Sequence, residues 1–181
     1  MGILIYKSHD DFSYYHFQYT YYLTQMQSVI GIGNFNLGFR TPSSIFYLNS
    51  LFYLPIIKFY MFQMAAFLIF LYSNVVIISK LIQDNLNKKY NFLTFYYLLS
   101  FIFINIFFYR VAEHGTDRSA QILILILIGE ILSFVNFKVK IEKQLSKLFL
   151  LIALIISLKA FYVLYIIFFS IILYKLVNSY K

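Results

Sequence analysis

From Phe59 to Ser79 the chain is apolar almost without interruption. At about 1.5 Å per residue, a helix over this run crosses the roughly 30 Å hydrocarbon core of a bilayer. Three more apolar runs follow: Phe92–Tyr109, Ser119–Phe137 (broken by Glu130) and Leu148–Tyr174. Polar segments separate them, namely Lys80–Asn91, the compact stretch RVAEHGTDR from Arg110 to Arg118, and Lys138–Lys147. The last run holds Lys159 near its middle. A charge at the bilayer centre costs about 2.5–3.5 kcal/mol on insertion scales, so two short helices meeting at Lys159 are expected in place of one long one. Spans are therefore expected at about 59–79, 92–109, 119–137, 148–158 and 160–175.

Residues 1–58 read differently. Lys7, Asp10, Asp11, Arg40, Lys58 and both prolines interrupt the apolar character too often for a span. Tyr14, Tyr15, Phe17, Tyr19, Tyr21 and Tyr22 crowd one stretch that suits an interfacial helix, rings toward the apolar layer and hydroxyls toward water. Gly31, Gly33 and Gly38 mark a loop, and Ser43-Ser44 after Pro42 suits a helix start. The expected fold is an all-α integral membrane protein: a polytopic bundle of four or five transmembrane helices (59–181), preceded by a first extracytoplasmic loop with interfacial helices (1–58).

Composition supports this reading. Of the 181 residues, 61% are hydrophobic and only 12% charged, too few to coat a globule in water. The hydrophobic share equally excludes a disordered chain. With no cysteine, disulfides, thiolate metal sites and a Cys nucleophile are all excluded. The net charge of +8 would suggest nucleic acid in a soluble protein, but no basic stripe or binding motif is present, and no nucleic-acid partner is expected.

The basic residues instead sort by side. Lys80–Asn91, Lys138–Lys147 and the C-terminus hold nine Lys and no Arg, and the denser set faces the cytoplasm. The 1–58 segment and the 110–118 loop then share the outer face. The start of the chain is too short and too polar-flanked for a signal peptide, so insertion depends on internal segments.

Four constellations can carry chemistry. His9-Asp10-Asp11 with Tyr15-His16 puts carboxylates near hydroxyls and imidazoles, as a general base or a divalent-cation site requires; the plain alternative is a solvated loop start. Arg110, Glu113, His114, Asp117 and Arg118 are dense for nine positions; Arg grips phosphate through a planar fork, while a hydrophilic cap with internal salt bridges is the plain alternative. Glu130 lies inside a span with no acid or base beside it there, which suits a carboxyl holding helices together better than a transport site. Lys159 either binds a lipid phosphate as a point charge or snorkels. The Tyr14–Tyr22 run either stacks on sugar rings or, the better reading, anchors the segment at the interface.

Three features, taken in order, resemble GT-C superfamily membrane glycosyltransferases, in particular bacterial relatives of the protein mannosyltransferases. Asp11 with Tyr15-His16, leading through Gly31-Ile32-Gly33-Asn34 and Leu37-Gly38-Phe39 to Thr41–Leu48, resembles their first extracytoplasmic loop. Glu113-His114-Gly115-Thr116-Asp117-Arg118 is similar to the second, where members carry another Asp. Ser157-Leu158-Lys159 resembles a small-residue-then-Lys break between later spans. Members normally begin with a transmembrane helix before the acidic loop and continue for several more spans. The resemblance therefore implies a chain truncated at both ends, which calls for an upstream helix or a partner chain.

The resemblance also implies a bacterial cytoplasmic-membrane enzyme of the cell envelope. It would transfer a sugar from a polyprenyl-phosphate donor to an acceptor hydroxyl at the extracytoplasmic face. Asp11 would be the general base, with Asp10 as fallback, and Asp117 the second-loop acid orienting acceptor or metal. Arg110, Arg118 and Lys159 would neutralise the departing phosphate, while His16, Glu113 and His114 would contact substrate. Use of a divalent cation varies among such enzymes. The alternative is a non-catalytic assembly partner or a carrier of lipid-linked sugars. A cation transporter rests on Glu130 alone.

Overall fold

The computed structural model describes residues 11–27, 30–40, 43–108, 116–136 and 141–179. Among these, regular structure is helical, with one isolated antiparallel bridge between Leu54 and Lys58. A π-helical turn, Phe12–His16, runs into α1 (Phe17–Gln25). Gly31 takes a left-handed backbone (φ 92°), and 3-10 turns follow at Ile32–Asn34 and Leu37–Arg40. Helix α2 (Ser44–Ser50) starts on Ser43, whose hydroxyl accepts from the Ile45 amide at 3.3 Å.

The 3-10 turn Phe59–Met61 leads into α3 (Met64–Leu86). Together they reach beyond the apolar run, through Lys80 to Leu86. Leu81, Ile82 and Leu86 keep apolar groups on the helix behind its polar residues. The helix ends in a Schellman arrangement, with Lys88 N–H to Asn85 C=O (3.1 Å) and Lys89 N–H to Asp84 C=O (3.0 Å). Lys88 (φ 50°) holds the left-handed position where glycine is usual. An Asn91–Thr94 capping box then opens α4 (Phe92–Phe107).

Helix α5 (Thr116–Asn136) precedes α6 (Ile141–Leu158), which begins inside the Lys-rich stretch, before the apolar run. Lys159 is extended (φ −154°, ψ 119°), and a 3-10 segment, Ala160–Ile167, continues into α7 (Phe168–Ser179).

Helix α5 is the centre of the bundle, packed on α6, α3 and α4. Ala120, Ile122 and Leu127 are fully buried, and of its apolar window 61% is buried, against 28% for Phe59–Leu86. A helix apolar on all sides is stable only when surrounded, and that is where α5 sits. Its close contact with α4 depends on Gly129: a Cβ there would lie 2.7 Å from the Tyr97 ring. Asn105 on α4 donates to Asn74 on α3 at 2.7 Å, and the Tyr96 hydroxyl donates to the Leu125 carbonyl at 2.7 Å. Lys175 of α7 donates to the last carbonyls of α5, at Phe134 and Val135.

By length and composition, Phe59–Leu86 and Asp117–Val135 are long and apolar enough to cross a membrane, and three shorter apolar helices accompany them.

Candidate functional site

The end of the bundle where α5 begins and α6 finishes carries Asp117, with Asp11 on the turn that leads into α1. One wall is the π-turn. Asp11 immediately precedes it, and Tyr15 within it packs edge-on against His16 (centroids 4.3 Å apart) and against Phe46 of α2 (6.3 Å). Gly38 lies directly against Tyr15, and a Cβ on that glycine would run into the ring. Asn36 ties the two segments together: its Nδ2 donates to the Tyr14 carbonyl and its Oδ1 accepts from the Gly38 amide, both at 2.9 Å.

The opposite wall is formed by the first turn of α5 and the break after α6. Asp117 sits in that first turn, where a carboxylate complements the helix dipole. Its Oδ1 pairs with Lys159 Nζ. Both side chains are about half exposed, so the pair is screened and exchangeable. The break that presents Lys159 is fastened to α2 from 115 residues away: Ser43 Oγ donates to the Leu158 carbonyl, and Ser44 Oγ lies 3.1 Å from Ser157 Oγ.

Tyr15 feels both carboxylates. Burial pushes its hydroxyl above the usual phenol range, and the negative charges of Asp11 and then Asp117 push it further the same way. This end of the bundle therefore offers carboxylates, a half-buried phenol and an ion-paired lysine.

The placements of the remaining residues differ. His16 is 5% exposed, enclosed by the Tyr15 and Phe46 rings, and so buttresses Tyr15 instead of lining the surface. Arg118 is half-buried one residue beyond Asp117. Asp10, Arg110, Glu113 and His114 lie outside the described residues. Among the described residues no three His, Asp or Glu side chains converge as a metal site. Tyr15 belongs both to the Asp11-to-His16 constellation and to the Tyr14–Tyr22 run, and the structure keeps it beside Asp11 and His16. Ser43 and Ser44, expected as a helix start, also fasten the break after α6.

Glu130 belongs elsewhere. It is 3% exposed, near the other end of α5, and its Oε1 lies 2.7 Å from Lys147 Nζ of α6 and 3.7 Å from Lys80 Nζ of α3. Gln144 Nε2 approaches its carbonyl at 3.5 Å. The partners come from neighbouring helices, outside the span in which the sequence reading looked for them.

Fold and site together define a helical bundle with membrane-length apolar helices and a charged cluster at each end. The chain belongs to the family described as Domain of unknown function (DUF8201), whose profile matches residues 3–181. Neither a curated protein nor a solved structure matches it.

Proposed function

We propose that this chain is an integral membrane protein that forms the acidic outer face of a GT-C-type glycosyltransferase. What supports the membrane reading is the surface of α3 and α4. Leu71, Tyr72, Val75, Phe95, Leu99 and Phe103 are all exposed, an apolar area that water would penalise and lipid would solvate. Positive-inside sorting then turns the Lys-rich loops to the cytoplasm and the Asp117–Lys159 end outward.

The observation that carries the transferase reading is the Asp117–Lys159 ion pair, which sets an acid and a cation far apart in sequence side by side at the break that Ser43 and Ser44 fasten to α2. In this reading Asp11 takes the proton of an acceptor hydroxyl as its oxygen bonds to the anomeric carbon of a polyprenyl-phosphate sugar. The bond from that carbon to the phosphate oxygen breaks, and the lipid phosphate leaves with its negative charge. Lys159, released from Asp117, and Arg118 neutralise it. A base must come within about 3 Å of the hydroxyl it serves, so Asp11 is the position to test.

The test is Asp11→Asn, assayed in membranes as transfer of labelled sugar from a polyprenyl-phosphate donor. Loss of about a hundredfold or more in rate is expected for a general base. Transfer at the wild-type rate overturns the assignment. The same ion pair also suits a non-catalytic assembly partner or carrier, because it fastens α5 to the break after α6. That second reading predicts that Asp11→Asn leaves complex formation or lipid-linked-sugar movement unchanged.

A further inference from the structure

At the end of the bundle remote from Asp117, the last turn of α3, the left-handed turn after it and the start of α4 enclose a cavity of about 210 Å³ with Ser133 of α5. That is several times the roughly 30 Å³ share of one water in the liquid. Lys80, Lys89, Asn87, Asn91, Asp84 and Tyr97 are among the residues that line it.

We propose that this cavity binds a phosphate group, carried by an anionic phospholipid headgroup or supplied as the free anion. Lys80 and Lys89 provide the charge, and Asn87, Asn91 and Tyr97 provide hydrogen-bond donors. Three observations carry the proposal.

The first is the charge balance. Asp84 accepts from Thr94 Oγ1 at 2.6 Å, which satisfies part of its carboxylate. Glu130 beside the cavity is held by Lys147 at 2.7 Å, closer than Lys80 at 3.7 Å. Three ammonium groups (Lys80, Lys89, Lys147) thus face two carboxylates, and a positive charge is left over for an incoming anion.

The second is Tyr97. It is 2% exposed, and its hydroxyl is buried with no hydrogen-bond partner among the described residues. A buried hydroxyl normally finds a partner, and Tyr97 belongs to the wall of this cavity. Asn91 points to the same ligand: its Oδ1 is used in capping Thr94 N–H, which leaves the NH₂ group to donate.

The third is the turn. Lys88 keeps a left-handed backbone at a cost of about 1 kcal/mol, and that turn sets Lys89 in the wall. At the same end of the molecule Ile82, Leu86 and Phe92 are exposed apolar groups, the surroundings that acyl chains would fill. The proposal rests on the membrane reading and is independent of the transferase reading.

The experiment titrates the purified full chain, in a neutral detergent, with dioctanoyl phosphatidylglycerol, dioctanoyl phosphatidylcholine and inorganic phosphate. Phosphatidylglycerol is expected to bind about tenfold more tightly than phosphatidylcholine, a preference that Lys89→Gln abolishes and Lys88→Gln keeps, since Lys88 does not line the cavity. Binding of inorganic phosphate that depends on Lys89, without preference among lipids, supports the site with the free anion as its ligand. Equal losses from Lys88→Gln and Lys89→Gln reveal surface charge alone and overturn the proposal, as does the absence of any anion preference. If Lys89→Gln fails to fold, Asp84→Asn decides: tighter binding supports the site, while unchanged or weaker binding overturns it.

Discussion

The two charged ends of the bundle use the same pairing, a carboxylate with lysine, in opposite ways. At one end Asp117 and Lys159 are each about half exposed, at the first turn of one helix and the break after another. At the other end Glu130 is sealed inside the bundle, and two lysines reach it from α3 and α6. An exposed pair adds little stability and exchanges partners readily. A buried carboxylate is costly to leave alone, so Lys147, at 2.7 Å, is held in place by the carboxylate it neutralises, with Lys80 farther off at 3.7 Å. Exchangeable charge suits a site that must release one partner to meet a substrate. Locked charge suits a clamp between helices. The comparison gives the Glu130 end an architectural part, as the sequence led one to expect of a carboxyl that holds helices together, and leaves the exchangeable Asp117 end as the place for the proposed chemistry.

The sharpest way to break this contrast is to remove both lysines from Glu130. Lys80→Met with Lys147→Met strands the carboxylate, and a loss of about 3 kcal/mol is expected, at the low end for buried pairs because the lysines are partly exposed. The readout is thermal unfolding in detergent followed by helical circular dichroism. A loss below about 1 kcal/mol would make Glu130 no more structural than Asp117.

Next in size is Gly38→Ala. The added methyl meets the root of the Tyr15 ring, close to its backbone, so Tyr15 has to move. A cost of about 1–3 kcal/mol is expected, together with a lowered transfer rate if Tyr15 organises the site. Stability and rate are measured on the same preparation, and unchanged values for both would detach Tyr15 from the site.

The smallest expected effect on stability is that of Asp117→Asn, under about 1 kcal/mol. Under the proposed transferase reading the same variant cuts transfer strongly. A stability loss as large as that of the double lysine variant would erase the difference between the two ends.

Much of the fold was legible in the apolar runs, because a segment that cannot face water has to close its backbone hydrogen bonds internally, as a helix does. The boundaries were less legible. Lys80 reads as the end of a span, yet α3 continues to Leu86 because Leu81 packs inward while Gln83 and Asp84 line a polar cavity. Lys138–Lys147 reads as a loop, yet α6 begins at Ile141, and Gln144, Leu145 and Lys147 face α5 through Glu130 and the core. Polarity marks where a chain meets water or a charge, and these charges meet each other.

The candidate site divides in the same way. Asp11, Asp117 and Lys159 stand out as ionisable residues beside apolar runs. Tyr15 is marked by its spacing from Asp11 and His16, but among 18 tyrosines that spacing does not show that it packs on Gly38 and Phe46. His16 drew attention by residue type, and burial between two rings gives it a supporting part.

The hydroxyl of Ser43 has a bearing on how this protein can be recombined. A helix that breaks leaves carbonyls without intrahelical partners, and here the donor for the buried carbonyl of Leu158 comes from the far end of the chain. The break that presents Lys159 and the segment that carries Ser43 are therefore one transplantable unit. A chimera that takes the later helices from this protein and the first fifty residues from another inherits a carbonyl with no donor, unless the replacement segment brings a hydroxyl to the same place.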